Sequence, residues 1–486
     1  MATSLLSRQF KYATRHNHPG SFNDRVHGAL MTSVAVIGAG PAGLTAAYVL
    51  AKAGLQVEVF EASNHVGGLA RSLQLWGQTV DLGPQEFVST NERVNRLWRE
   101  IVGADYRMVD RSTRIYDHRR FFQYPLAPGD VLWNVGPREA MAGAASYLRQ
   151  QWHANPNEGN GSFEDWGVHR YGRRWFDAFF KDYSEKLSGF ACHELDADFA
   201  DPGGKKPSFS VAVKNTLGLA RGKHRGPVDR FAYPSLGTGM VYQRMADYVR
   251  ALGEVYLNRP VRRVLHDAQR VYGLELDPGQ TLRFDHVVST MPLPLLVAGL
   301  DDCPQEIRQA AGQLKFRNTL LVYLNVERSD LFRDQYLYIH APHLLVGRVT
   351  NFRNWVPGLC GLSGNTILSL EYWCNDDDPL WHQTDAELIE RAKAEMTCTG
   401  LITGARILGG HVERLRRSFP VHSRGYQQPL GKVMDYLKHF EGLTPIGSEV
   451  APTDNYQDRN IGMGLMAADY ILQNEDDSQA ADPFHE

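Results

Sequence analysis

The glycines of Gly38-Ala39-Gly40-Pro41-Ala42-Gly43 have the spacing with which a backbone holds a pyrophosphate. The first permits a tight turn, the second lets main chain approach the anion, and the third lets a helix pack closely on the preceding strand. Pro41 and Ala42 open that helix, whose N-terminal amides aim at negative charge. Glu61 lies 18 residues beyond Gly43. A carboxylate there accepts hydrogen bonds from both hydroxyls of an adenosine ribose and repels a 2′-phosphate. Gly67 and Gly68 let the chain pass a second face of the pyrophosphate, and Arg71 supplies a cation. The chemistry is dinucleotide binding.

Such residues need a strand, a turn, a helix and a second strand to hold them. Val34–Ile37 is a short apolar run, Leu44–Ala53 is apolar at helical spacing, and Gln56–Phe60 alternates toward Glu61. Ser162 with Asp165 predicts a helix start. Phe163, Trp166, Tyr171, Trp175, Phe179 and Tyr183 then recur at helical spacing, weakened at Gly172, and read as buried core. Val255–Ser289 alternates as a hairpin or meander around Asp277-Pro278-Gly279.

The 486 residues, 43% hydrophobic, suffice for two or more domains. Lys and Arg number 52 against 55 Asp and Glu, a net charge of −3, which argues against a nucleic-acid binder. No apolar run approaches the roughly 20 residues of a transmembrane helix. Five scattered cysteines without CxxC spacing exclude a disulfide framework and a zinc site, and suggest a cytoplasmic protein. No metal is expected, since Pro342 interrupts the pair His340 and His343. Residues 1–30 read as a disordered arm, and the acidic residues 476–486 as a disordered tail. Asp201–Arg230, with seven cations against two anions, reads as a solvated loop or an anion-receiving flap.

Glu61, Gly67, Gly68 and Arg71 form an ExxxxxGGxxR arrangement that resembles the extended fingerprint of flavoproteins with a glutathione-reductase-like fold. Val80-Asp81-Leu82-Gly83-Pro84-Gln85 resembles the strand beside the isoalloxazine in the amine oxidase and protoporphyrinogen oxidase superfamily. The resemblance implies FAD as cofactor, with Pro84 and Val261 among its contacts. Within that superfamily the chain looks most like the UDP-galactopyranose mutase branch. The likeness is carried by Phe121–Leu126, Phe163–Trp166, Phe179–Lys186, Phe231–Pro234, Gly237–Met240, Val287–Met291 and Tyr456–Ala468. It implies that Asp458 faces the ribityl chain, and that the helix start at Asn460 and Ile461 faces the flavin ring. It also implies that Arg348, Lys181 and Tyr338 meet a substrate diphosphate. Three departures accompany it: Lys181 where the mutase pattern has arginine, Gln85 where it has histidine, and Phe419 where it has tyrosine.

The expected fold is α/β, a Rossmann-type FAD-binding domain (31–105, 232–300 and 440–475) with a second, mixed substrate domain (106–231 and 301–439). The expected function is an FAD-dependent oxidoreductase acting on a small molecule bound between the domains, a nucleotide-linked sugar or glycan precursor. The alternatives are a mutase-type isomerase using reduced FAD, a protoporphyrinogen oxidase- or desaturase-like enzyme on an apolar substrate, and a flavin-binding protein without catalysis.

Overall fold

A computed structural model describes residues 32–117, 119–124, 126, 128–153, 161–200, 230–450 and 456–480. The N-terminal arm and nearly all of the basic stretch expected at Asp201–Arg230 lie outside these residues.

Strand β1 (Ser33–Ile37) is buried on both faces, as the continuous run Val34–Ile37 requires of a parallel strand. Gly38 turns the chain at φ +97°, and a Cβ there would run into Thr290 Oγ1. Helix α1 (Pro41–Lys52) starts on Pro41, whose fixed φ suits the first helical position. Strand β2 (Gln56–Phe60) returns beside β1 in parallel, with Ile37 opposite Phe60. The full sheet is all parallel, in the order Leu443–Pro445, His286–Ser289, β1, β2, Glu254–Tyr256. Helix Gln457–Ala480 packs on α1 through Gly464. It extends through the first residues assigned from sequence to the acidic tail.

The meander is shorter than its alternation predicts. Only Val261–His266, Val271–Leu276 and Gln280–Arg283 form the antiparallel three-stranded sheet. Glu254–Tyr256 and His286–Ser289 join the parallel sheet instead, because Val287 and Val288 are buried from both sides and the pattern there is not period two.

A second, seven-stranded sheet runs in the order Ile407–Val421, Lys315–Val326, Thr366–Cys374, Arg348–Asn351, Tyr336–Ile339, Thr113–Asp117, Arg120–Gln123. All its pairs are antiparallel except Tyr336–Ile339 with Thr113–Asp117. Helix Asp385–Thr399 covers one face through Leu388, Ala392 and Met396. Against the other lies the hairpin of Ser72–Leu75 and Gln78–Asp81, with Val80 and Leu82 in one cluster with Leu321, Tyr323 and Tyr336. The aromatic block is helical, as expected, and Ser162 caps it by accepting from Asp165 N at 3.1 Å. Gly172 breaks it at φ +82°. No helix among the described residues is long and apolar enough to cross a membrane.

Buried Asp81 joins the layers. Its carboxylate accepts from Tyr233 Oη (2.5 Å), Ser72 Oγ (2.5 Å) and Thr238 N (3.2 Å). Its backbone carbonyl accepts from Tyr323 Oη of the large sheet at 2.9 Å.

Two glycines of the last helix separate packing from propensity. A Cβ on Gly464 would lie 2.5 Å from Ala42 O and 3.0 Å from Ala46 N, backbone atoms that cannot rotate aside. On Gly462 it would meet only Val94 Cγ2, at 3.8 Å. In denaturant melts Gly464→Ala should therefore lose about 1–3 kcal/mol to overpacking. Gly462→Ala should gain up to about 1 kcal/mol from helix propensity. Equal effects at the two positions would refute the close helix crossing.

Candidate active site

The glycine turn and its neighbours leave a cradle of bare backbone. A Cβ on Gly43 would collide with Gly38 O, so α1 sits as close to the turn as main chain permits. Gly67, at φ +100°, donates its amide to Ala39 O at 2.8 Å, which brings Gly68 opposite Gly40. A Cβ on Gly40 would have only Gly68 Cα near it, at 3.9 Å. The protein itself does not fill that space. Beside it Arg71 donates to Gly68 O (3.3 Å) and Glu413 (3.2 Å), while its Nε is buried without a partner. Open space over Gly40 and an orphaned guanidinium N–H fit an incoming pyrophosphate.

Glu61 stands at the end of β2. Its two oxygens accept from Ala39 N (2.8 Å) and Ser63 N (2.9 Å), which brace the turn and leave each oxygen a further lone pair. Val261 opens its strand two residues after Arg259, whose amide donates to Glu61 O at 2.9 Å. Asp458 lies in the first turn of the last helix, hydrogen-bonded to Ser89, and burial raises its pKa against that bond. Asn460 donates its side-chain amide to Tyr456 O at 3.0 Å. Ile461 is 0% exposed in the core under α1, so only its backbone is left to meet a cofactor.

Gln85 follows the half-buried Pro84 in a relay of amides. Tyr242 Oη donates to Gln457 (2.9 Å), Gln457 Nε2 to Gln85 Oε1 (3.2 Å), and Gln85 Nε2 to Leu69 O (3.1 Å). The relay fixes which way the Gln85 amide points. Tyr242 had no distinguishing mark in the sequence, and Gln457 lay within the Tyr456–Ala468 segment with no role assigned to it.

The large sheet presents the other half of the site. Arg348 sits across from Tyr338 and forms a two-pronged ion pair with Glu371, Nε to Oε1 at 2.7 Å and Nη2 to Oε2 at 2.5 Å. Glu371 is 4% exposed and Arg348 26%. Burial opposes the arginine's charge, but Glu371 outweighs it and holds the pKa above its ordinary value. A Cβ on Gly83 (φ +83°) would come within 2.8 Å of Glu371 Oε1, so the strand beside Gln85 abuts this pair. A second pair, Arg111 with Glu86, flanks Tyr336, and burial raises the Glu86 pKa despite its partner. Tyr338 packs against Tyr124 (4.8 Å), Tyr336 (5.4 Å) and Tyr183 (5.5 Å). Burial holds the hydroxyls of Tyr183, Tyr336 and Tyr338 above the usual tyrosine pKa, so they stay protonated donors. His340 stacks on Tyr183 at 4.7 Å and is neutral, burial lowering its pKa to about 3.

The structure thus brings Arg348, Tyr338 and the Gly83–Gln85 segment together. Lys181 ends a π-helical turn, and its charge acts on the Cys192 thiol, while two residues on Tyr183 faces Arg348. Phe419 packs against Phe199 in a separate aromatic cluster.

A parallel sheet whose first turn cradles a pyrophosphate, set against a sheet bearing a tyrosine-lined face, defines a Rossmann-type flavoenzyme. Residues 41–396 match the flavin-containing amine oxidoreductases. The chain belongs to that family, as an FAD-dependent oxidoreductase. Its fold is that of a reduced UDP-galactopyranose mutase (TM-score 0.80, 19% identity, 91% of this chain and 96% of that one). It is also that of a protein assigned as protoporphyrinogen oxidase in Exiguobacterium sp. 255-15 (TM-score 0.70, 18% identity, 92% and 100%). In sequence it is 33% identical over 103 residues to coproporphyrinogen III oxidase of Staphylococcus aureus, 21% of this chain. That match spans only 22% of the relative's length.

The cradle makes a definite expectation. Gly40→Val should fold with a normal melting transition, since no protein atom opposes the side chain, yet purify colourless. Full flavin absorbance in that variant would place the pyrophosphate elsewhere.

Proposed function

We propose that this chain uses FAD to oxidise a sugar-bearing small molecule, held between the glycine-turn layer and the tyrosine face of the large sheet. The observation that carries the reading is the contact of Gly83 with the Arg348–Glu371 pair, which joins the Gly83–Gln85 segment to a donor-bearing part of the large sheet. FAD, when bound, would supply two-electron redox chemistry. The residues of the chain supply the rest. Gly38, Gly40, Gly43, Gly67 and Gly68 admit the pyrophosphate, and Glu61 takes the ribose. Gln85, fixed by its relay, presents an oriented amide. The four tyrosines offer ring faces for stacking and hydroxyls for hydrogen bonding, and exclude water from the reacting bond. None of Tyr183, Tyr336 and Tyr338 is a base near neutral pH, since burial keeps their hydroxyls protonated, and burial keeps His340 neutral.

Within this reading we favour a nucleotide-linked sugar, its diphosphate meeting the outward N–H groups of Arg348. The exposed quarter of that side chain and the likeness in fold to the mutase support it. The same likeness favours, second, an isomerisation that turns over only with reduced flavin and gives no net oxidation. The five cysteines are unpaired, in keeping with a cytoplasmic location.

The test is a titration of UDP and a UDP-sugar followed by flavin absorbance. Arg348→Ala should weaken binding by about 2–5 kcal/mol, with FAD content normal. The double variant Arg348→Ala/Glu371→Gln, which leaves no unpaired buried carboxylate, should stay weak. Turnover only after chemical reduction of the flavin would select the isomerase. If wild type binds neither ligand at millimolar concentration, the substrate is not a nucleotide sugar.

A further inference from the structure

The loop that joins Tyr338 to Arg348 is held from opposite sides by opposite charges. Residues 340–347 connect strand Tyr336–Ile339 to strand Arg348–Asn351. From helix Asp182–Ser188, Lys186 Nζ donates to the carbonyls of Ile339 (3.0 Å), Ala341 (3.2 Å) and Val346 (3.3 Å). An ammonium has three hydrogens, and all three are used. From helix Asp385–Thr399, Glu395 accepts from Leu345 N at 3.1 Å and Val346 N at 2.9 Å. It is 9% exposed. The loop's acceptors therefore face a cation and its donors an anion.

The mouth of the loop ties it to the site. Ile339 N donates to Gly347 O, and Gly347 N to the carbonyl of Glu371, both at 2.8 Å. Glu371 is the partner of Arg348. A Cβ on Gly347 would strike the Trp373 ring, so this corner has no room to shift.

We propose that Lys186 and Glu395 are positioning residues that order the 340–347 loop and thereby set Arg348 and Tyr338 side by side. Two considerations support the role. Eight residues without regular structure carry an ordering cost that must be met by specific contacts. A buried ion contributes little to stability over an apolar residue of similar size, so its value lies in direction. Burial lowers the Lys186 pKa to about 8, against the pull of Glu395, Asp182 and Asp117, so it remains an ammonium at neutral pH. His340, which faces it from the loop, is neutral there. The effect on substrate rests on the reading that Arg348 and Tyr338 meet it; the ordering of the loop does not.

Amide hydrogen exchange on the FAD-loaded full chain tests the proposal. In Lys186→Met, the amides of Leu344, Leu345, Val346 and Gly347 should exchange roughly tenfold faster or more, as expected for loss of a net hydrogen bond to a charged group. Amides of the helix Gly239–Leu252, which lies outside the loop, should keep their rates, and flavin absorbance should be normal. Lys186→Arg, which retains charge and donors, should restore most of the protection. Glu395→Gln should accelerate Leu345 and Val346 alone, and it carries the test if Lys186→Met fails to fold. Unchanged loop rates in both variants would overturn the proposal. So would equal acceleration in the helix, which would mark Lys186 as an ordinary packing residue. Failure of wild type to bind UDP would remove the nucleotide-sugar reading and leave the exchange result standing.

Discussion

The relation between the two halves of this protein depends on the buried carboxylate of Asp81. A carboxylate removed from water must have its lone pairs answered, and here the answers come from three separate segments. Ser72 belongs to the same hairpin, Tyr233 to the strand that returns from the intervening sequence, and Thr238 to the entry of a helix packed on α1. Tyr323 adds the large sheet by bonding the Asp81 carbonyl. Burial raises the Asp81 pKa and these donors oppose the rise. With that junction fixed, the segment Leu82–Gln85 has one path, and it runs between the glycine cradle and the Arg348–Glu371 pair.

Charge at the site is arranged as two neutral couples rather than as a positive field. Arg348 with Glu371 and Arg111 with Glu86 each bring one cation and one anion. A ligand is therefore drawn less by long-range attraction than by directed hydrogen bonds, which favour shape and hydroxyl pattern over net charge. Tyr183, Tyr336 and Tyr338 fit that scheme, since each adds a ring face and a donor that does not ionise near neutrality.

Motifs built from backbone geometry were readable in the sequence, because glycine spacing reports local constraint. Gly38, Gly40, Gly43, Gly67 and Gly68 meet in one cradle, with Glu61 bracing it. Partners chosen by tertiary contact were not readable. Glu371 lies 23 residues from Arg348, and Glu86 lies 25 from Arg111, on different strands or loops, and neither pair has a spacing rule. Gln457 stood within the Tyr456–Ala468 segment, but its bond to Gln85 has no signature in sequence. The meander was overextended because strands buried on both faces do not alternate.

The close crossing of α1 and the last helix joins Ala42 to Gly464, residues more than four hundred positions apart. The strand Leu443–Pro445 at the sheet's edge is nearly as remote from β1. During synthesis the glycine turn emerges long before Leu443–Pro445 and the last helix, which complete the layer around it. Contacts of such separation form slowly, with apolar surface exposed meanwhile. Until then the newborn β1 and α1 lack the partners that bury them, and the layer that holds the glycine cradle is unfinished.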